Sequence, residues 1–312
     1  MWRMQRWSLT GAAVMATVVA AGCGTATGPG GTSAGDSDST TSGPGGTSAG
    51  DSDSTTSGPG QTGSSVDADT VLTGYGLVLQ QDGEPPELCV GGVAESYPPQ
   101  CGGPELVGLD WTDLPEHEKA SGVTWGEASV VGTYDGARFT LAEPPTQEPP
   151  AGPEPEPDQF PQLCDDPFRG GDEDYASDPE AAQKAQEDLG GLLQSYDGYV
   201  TSWVSDGSSM FNVLVQGDAE EAHAAIREVW PGGLCVEQRD LPTEQDLRAA
   251  QQAVTDSDAE DLLAVGSGAD AVLDVQVLVA DEPTVAAVQQ AVSDWLTPDQ
   301  VRVTGVLNPV DD

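Results

Sequence analysis

The first 23 residues constrain this chain most, because they decide the compartment in which the rest must fold. Arg3 and Arg6 precede an apolar run of 13 residues, 9–21, and small residues lead into Cys23. A membrane-spanning helix needs about 20 apolar residues, so this run is too short for a permanent transmembrane anchor. Positive charge, a short apolar core and small residues are typical of a secretory signal. The pattern predicts that residues 1–22 are a signal peptide and that the mature chain folds outside the cytoplasm.

The sequence Ala20-Ala21-Gly22-Cys23 resembles the lipobox of bacterial lipoproteins. The resemblance implies that signal peptidase II cuts before Cys23 and that acyl chains on the thiol and the new amino group anchor the protein to the outer face of the cytoplasmic membrane. Two or more acyl chains make such anchoring stable. The sequence departs from the family pattern at Ala20, where leucine or valine is commoner. The alternative is an ordinary secretory signal followed by an unmodified cysteine.

The charge balance limits the partners of the mature protein. Without residues 1–22, which hold two arginines and no acid, the chain has 8 basic and 53 acidic side chains, a formal charge of −45. Such a surface repels phosphate groups and anionic lipid head groups. We therefore expect no nucleic-acid partner. We also expect the lipid on Cys23, and not the protein surface, to hold the chain at the membrane.

The cysteine count predicts two disulfide bonds. If Cys23 carries lipid, four of the five cysteines remain, and an even number in an exported protein indicates a disulfide framework. Four cysteines allow three pairings. We expect Cys89–Cys101 and Cys164–Cys235, because a long proline-rich stretch separates the first two cysteines from the last two. The chain has no C-x-x-C motif, so no sequence signal points to thiol redox chemistry or to zinc.

Composition divides the mature chain into a tether, two domains and a linker. Residues 23–66 hold the lipidated cysteine and a Gly/Ser/Thr/Asp-rich stretch, in which residues 31–60 are two identical copies of a 15-residue unit. A stretch without aromatic residues cannot bury a core, so we expect a disordered tether. Residues 143–158 contain seven prolines and predict a polyproline II linker. Residues 67–142 and 159–312 are then the two domains.

The first domain, residues 67–142, is predicted to be all-β. Asp135-Gly136 between two β-rich runs is a strong hairpin signal. Five short strands suit a small disulfide-stapled β-barrel, OB-like in the best case. Trp111, Trp125 and Tyr134 are expected in the core or at its rim, with a ligand platform as the alternative. The strands are expected at 71–80, 89–90, 106–111, 128–134 and 138–141.

The second domain, residues 159–312, is predicted to alternate helices and strands. The first helix is expected to end at Gly190-Gly191. Two β-α-β units, 210–238 and 271–307, with right-handed crossovers predict one sheet with both helices on one face, a ferredoxin-like α/β sandwich. The fold class expected for the whole chain is α+β. Helix starts are marked by Asp178-Pro179, Asp218, Thr243 and Pro283.

Part of the second domain resembles actinobacterial exported proteins of unknown function. The resemblance lies in residues 217–254, centred on REVWPGGLCVEQRDLPTEQDLRAAQ, and in the C-terminal sequence VTGVLNPV. It covers less than half of the chain. It implies a recurring domain and no activity.

Candidate catalytic and metal-binding residues are few. His117 and His223 are the only histidines, and we expect both to face solvent without the spacing of metal ligands. Neither predicted domain contains a G-x-S-x-G motif or a phosphate-binding glycine motif. One dense carboxylate cluster is expected to be a solvated loop, with weak calcium binding or acid chemistry as the alternatives. Its members are Asp165, Asp166, Asp172, Glu173, Asp174, Asp178 and Glu180.

These features favour a non-catalytic envelope lipoprotein that displays two domains for binding or assembly. The expected partners are the membrane, through the lipid, and an envelope protein or ligand that the sequence does not identify; no cofactor or metal is expected. One alternative is an extracytoplasmic hydrolase that uses carboxylates, which would need two buried acids facing each other in one cleft. Another is a proteinase inhibitor or prodomain-like module, which rests on analogy between folds.

Overall fold

The computed structural model describes residues 66–67, 69–150, 160–175, 178–207, 210–257, 259 and 261–310, so the predicted signal peptide, Cys23 and nearly all of the predicted tether lie outside the described residues. The described chain is α+β and mostly sheet. None of its helices is both long enough and apolar enough to cross a membrane. The strands are β1 (Leu72–Gln81), β2 (Glu87–Cys89), β3 (Glu105–Val107), β4 (Glu118–Ala120), β5 (Val123–Tyr134), β6 (Arg138–Leu141), β7 (Tyr199–Val204), β8 (Phe211–Val215), β9 (Leu234–Gln238), β10 (Leu262–Ser267), β11 (Leu273–Val279) and β12 (Val301–Pro309), and the helices are α1 (Pro179–Ser195), α2 (Ala219–Arg227), α3 (Glu244–Thr255) and α4 (Glu282–Val292).

Five strands of the N-terminal half close into a ring. The pairs are β1–β2, β2–β3, β3–β6, β6–β5 and β5–β1, and only β3–β6 is parallel. Gly132 of β5 lies so close to the backbone of Thr140 that a Cβ atom would clash with the Thr140 carbonyl oxygen. The interior of the ring is apolar and includes Val78, Leu88, Leu106, Ala128, Val130 and Phe139.

The alternation of side chains along β1 and β5 gives the ring a second, outer apolar cluster. Leu79 and Trp125 pack there with Cys89. The Cys89–Cys101 disulfide closes the loop that covers this cluster, and the ring of Tyr97 meets Trp125 edge to face at 5.3 Å. The sequence expectation that Trp125 belongs to a core is confirmed, because its side chain is buried.

The C-terminal half contains the same order of elements twice. Each copy has a helix, an antiparallel pair of strands, a second helix and a third strand parallel to the second: α1-β7-β8-α2-β9 and α3-β10-β11-α4-β12. We call these the first and the second repeat. In both, the helix between the parallel strands begins at an aspartate, Asp218 or Asp281, whose carboxylate accepts backbone N–H bonds of the first turn.

The two β-α-β units lie in different sheets, where the ferredoxin-like expectation placed them in one. β7, β8 and β9 form a three-stranded sheet, whereas β10, β11 and β12 belong to the nine-stranded sheet. The physical reason is that each central strand already has two partners from its own repeat. β8 lies between β7 and β9, and β11 lies between β10 and β12. β10 was not predicted from the sequence, and without it the second unit has an open edge.

The repeats stack through shared apolar cores. One core lies between α1, α2 and the first sheet, and contains the fully buried Trp230. The next joins the opposite face of that sheet, through Val200 and Leu214, to α3, α4 and β11. Leu278 and Leu307 then extend the core of the ring to β11 and β12. The three cores therefore follow one another through the structure, from α1 at one end to the ring at the other.

Hydrogen bonds cross the boundary that composition suggested between the two domains. β12 pairs with β1 in antiparallel register, with Leu72 opposite Pro309. The nine-stranded sheet therefore continues from the second repeat into the ring. The start of the proline-rich stretch also contacts the ring, since Thr146 forms a bridge with Ser129 of β5; residues 151–159 lie outside the described part.

Two local predictions are wrong in the helical region and at the ring. α1 does not end at Gly190-Gly191 but continues to Ser195, because Leu189 and Leu193 on either side pack into the core. Glycine costs about 1 kcal/mol in a helix, and burial of a leucine offsets that cost. β5 begins at Val123 and not at residue 128, because its first residues pair with both β1 and β4.

Candidate functional site

A cleft at the junction of the two repeats is the strongest candidate site in the described structure. It consists of two adjoining hollows with volumes of about 330 and 340 Å³, which share Tyr199 and Glu244. The first repeat supplies β7 and the turn before it, and the second repeat supplies the start of α3 and the loop after β10. Both repeats are therefore needed to form the cleft.

Local sequence explains how each wall is positioned. β7 begins at Tyr199, directly after Gly198. Gly198 has a φ of +78°, a backbone conformation that residues with a side chain rarely adopt. Glu244 is the first residue of α3, which begins with a capping box: Thr243 Oγ1 accepts from Asp246 N–H, and Asp246 accepts from Thr243 N–H. This box fixes the direction in which α3 enters the cleft.

The remaining lining comes from Phe160 and from the end of β10. Gly266 and Ser267 belong to β10, because they pair with Asp274 and Leu273 of β11. Ser267, Gly268 and Ala269 face the hollow beside Phe160. Phe160 is 51% exposed, one of the most exposed large apolar side chains of the described chain.

The electrostatics of the cleft favour hydrogen bonding over acid–base chemistry. The hydroxyl groups of Tyr199 and Ser202 are hydrogen bonded at 2.8 Å. Burial raises the pKa of the Tyr199 phenol, the bond to Ser202 lowers it, and the charge of Glu244 raises it. The phenol is therefore protonated at neutral pH and acts as a hydrogen-bond donor or acceptor. Glu244 in turn forms an ion pair with Arg248, one turn along α3.

Both predicted disulfides are present, as Cys89–Cys101 and Cys164–Cys235. The second joins the segment 160–175 to β9. Arg227 supports the same segment, because its guanidinium donates to the carbonyl oxygens of Pro167 at 2.7 Å and of Arg169 at 2.9 Å. The predicted lipid-attachment residue, Cys23, lies outside the described residues.

The histidines lie apart from the cleft lining and behave differently from each other. His117 is exposed as expected, and its Nδ1 donates to the Leu114 carbonyl oxygen at 2.6 Å. The expectation for His223 is wrong: its side chain is half-buried, and its Nε2 is buried without a hydrogen-bond partner. Burial lowers the pKa of His223, and the charges of Arg169 and Arg227 lower it further, against an opposing effect of Glu220.

The acidic cluster is a solvated segment, as expected. All seven of its carboxylate residues are exposed. Two of them satisfy backbone groups: Asp172 accepts from Asp174 N–H at 2.9 Å, and Asp178 caps the start of α1. Among the residues that the structure covers, no group of three or more histidine, cysteine or acidic residues is arranged to hold a metal ion.

The aromatic residues singled out in the first half of the chain have structural partners. Trp111 Nε1 donates to Gln80 Oε1 at 2.6 Å, and the indole of Trp111 packs on the apolar core inside the ring of strands. The Tyr134 hydroxyl donates to Asp261 Oδ2 at 3.1 Å, a contact between the ring and the second repeat. These contacts account for Trp111 and Tyr134 without a ligand.

Sequence reasoning identified none of the cleft residues as a site. Thr243 was recognised only as a helix cap. The lining comes from four separate stretches between residues 160 and 269, so no contiguous motif exists to find. No protein-family model matches this chain, and no curated protein matches it in sequence.

Proposed function

We propose that this protein is a lipid-anchored, extracytoplasmic binding or assembly module without catalytic activity of its own. The single observation that carries the proposal is the cysteine pairing. Four of the five cysteines form two disulfides, which are typical of proteins that fold outside the cytoplasm. Cys23, at the end of a signal-type segment, is the cysteine left for another role.

The chemistry of the cleft supports binding over catalysis. A nucleophile in a hydrolase is activated by an adjacent base or by a lowered pKa. The Tyr199–Ser202 pair has a phenol whose pKa is raised by burial, and Glu244, the carboxylate whose charge acts on this phenol, is paired with Arg248. In the described chain the buried polar residues are Thr124 and Asn212, so it contains no pair of buried carboxylates of the kind that the hydrolase hypothesis requires.

We further propose that the ring is OB-like. The strand order supports this: with the five ring strands numbered along the chain, neighbours around the ring run first, second, third, fifth, fourth, and back to the first. The pair formed by the third and fifth strands is the parallel one. This connectivity suits a five-stranded Greek-key barrel of the OB type.

The anchor is tested by growing cells with an alkyne-labelled fatty acid and fractionating them. The wild-type protein should carry the label and sediment with membranes. Cys23→Ser should lose the label and keep the length of the uncleaved precursor, because both acylation and cleavage depend on this cysteine. The Cys89→Ala/Cys101→Ala variant is the matched control and should keep the label. Membrane retention of an unlabelled wild-type protein would contradict the proposal.

A further inference from the structure

The two hollows of the cleft lie side by side, because Tyr199 and Glu244 line both of them. A ligand that occupied both would have to pass these two side chains. Each hollow, with about 330 to 340 Å³, is at the lower end of the size range of small-molecule sites. The shape therefore suits a short chain of compact units, with one unit in each hollow.

The aromatic side chains supply apolar faces to this site. Phe160 lines one hollow and remains 51% exposed. Its phenyl side chain has no polar atom that could form a hydrogen bond with water. Tyr199 lies between the hollows, and its ring combines an apolar face with a hydroxyl group. A ligand with apolar C–H faces and polar edges matches this combination.

In the hollow beside Phe160, most of the polar side chains carry hydroxyl groups. Tyr199 and Ser202 each have one hydroxyl hydrogen, and their mutual bond uses only one of the two. The second hydrogen can be donated to a ligand or to water. Thr201 and Ser267 add two more hydroxyl groups to the same hollow. A ligand that both donates and accepts hydrogen bonds along its length can engage such a lining.

The charges of the site disfavour an anionic ligand. The carboxylate of Glu244 and the chain's net charge of −43 disfavour anions. A cation would have to compete with Arg248, which already pairs with Glu244. The carboxylate still has lone pairs that accept bonds from hydroxyl groups. Asp197, exposed in the second hollow, can accept such bonds in the same way.

We infer that the cleft binds a neutral oligosaccharide, with sugar rings against Phe160 and Tyr199 and sugar hydroxyls bonded to Ser202, Ser267 and Glu244. The inference rests on the proposed binding role and names the ligand class of the cleft. Because the two repeats contribute opposite walls, a bound sugar also links them. Occupancy should therefore raise the melting temperature of the protein.

Isothermal titration of the full-length protein tests the inference, in a detergent without sugar head groups. The probes are maltotriose, cellotriose, mannotriose and N-acetylchitotriose. Spermidine is titrated separately, to test whether the cleft binds a cation instead of a sugar. We expect at least one trisaccharide to bind with a Kd below about 1 mM. Phe160→Ala and Glu244→Gln should each weaken that binding by about tenfold or more, which corresponds to about 1.4 kcal/mol.

Matched controls separate the cleft from general surface effects. Glu282→Gln changes the first residue of α4, the position that Glu244 holds in α3, and Trp295→Ala removes another exposed aromatic residue outside the cleft lining. Both should bind like the wild type. The inference is overturned if no trisaccharide binds at about 10 mM, if only spermidine binds, or if Phe160→Ala and Glu244→Gln leave sugar binding unchanged. A labelled, membrane-bound protein that fails this test would keep its anchoring role and lose only its sugar ligand.

Discussion

Removal of the Cys164–Cys235 disulfide should release the segment 160–175 before any strand of the sheets. The disulfide joins this segment to β9 across 71 residues of sequence. The segment is also attached by hydrogen bonds, such as Leu163 N–H to Asn212 Oδ1 and Leu234 N–H to Pro167 O, both 2.8 Å, and by the packing of Leu163 and Tyr175 on the neighbouring cores. Each such bond contributes about 1 kcal/mol, less than the covalent link.

The sequence separations of the two disulfides set the expected magnitudes. In the chain-entropy model a disulfide lowers the entropy of the unfolded chain by 2.1 + 1.5R ln n cal/mol/K, where n is the loop length. For the separation of 71 residues between Cys164 and Cys235, this is about 4.4 kcal/mol at 25 °C. For the separation of 12 residues between Cys89 and Cys101, it is about 2.8 kcal/mol. Removal of the Cys164–Cys235 disulfide should therefore lower the unfolding free energy by about 1.6 kcal/mol more than removal of the Cys89–Cys101 disulfide.

Guanidinium denaturation of two double alanine variants measures this difference. Cys164→Ala/Cys235→Ala should lose more unfolding free energy than the matched control Cys89→Ala/Cys101→Ala. Hydrogen exchange should show faster exchange of the amides of residues 160–175 in the first variant only, while β11 keeps its protection. An equal or larger loss in the control, or earlier exchange of β11, would refute the loop-length argument and the peripheral position of the segment.

Two further predictions concern the tether and His223. Deletion of residues 46–60, one copy of the 15-residue unit, should leave the melting temperature unchanged, because a spacer buries no core; a measurable drop would show that the unit packs on the folded chain. Because burial and Arg169 hold the pKa of His223 below its ordinary value of 6.5, the unfolded chain binds the proton more tightly. The unfolding free energy should therefore fall as the pH is lowered through about 6.5, and His223→Gln should remove that part of the decrease; an equal effect of His117→Gln would contradict the assignment.

Features that depend on neighbouring residues or on counting were predictable from the amino-acid sequence. The caps at Asp218 and Thr243 were predictable because each aspartate or threonine side chain bonds to backbone groups two or three residues away. The alternation of Leu273, Val275 and Val277 predicted β11, because a strand turns every second side chain to the core. The disulfide pairing followed from the even cysteine count and from the position of the proline-rich stretch.

The pairing of the strands and the position of the cleft could not be predicted from local sequence. β12 pairs with β11 in its own repeat and with β1 of the ring, and no local pattern in β12 names either partner. Backbone hydrogen bonds are the same for every strand, so the choice between edges depends on contacts among residues far apart in sequence. The same holds for α1, which continues through Gly190-Gly191 because Leu193 finds a place in the core. The cleft needs Phe160, Tyr199, Glu244 and Ser267 together, and only the stacking of two repeats brings these four stretches of chain to one place.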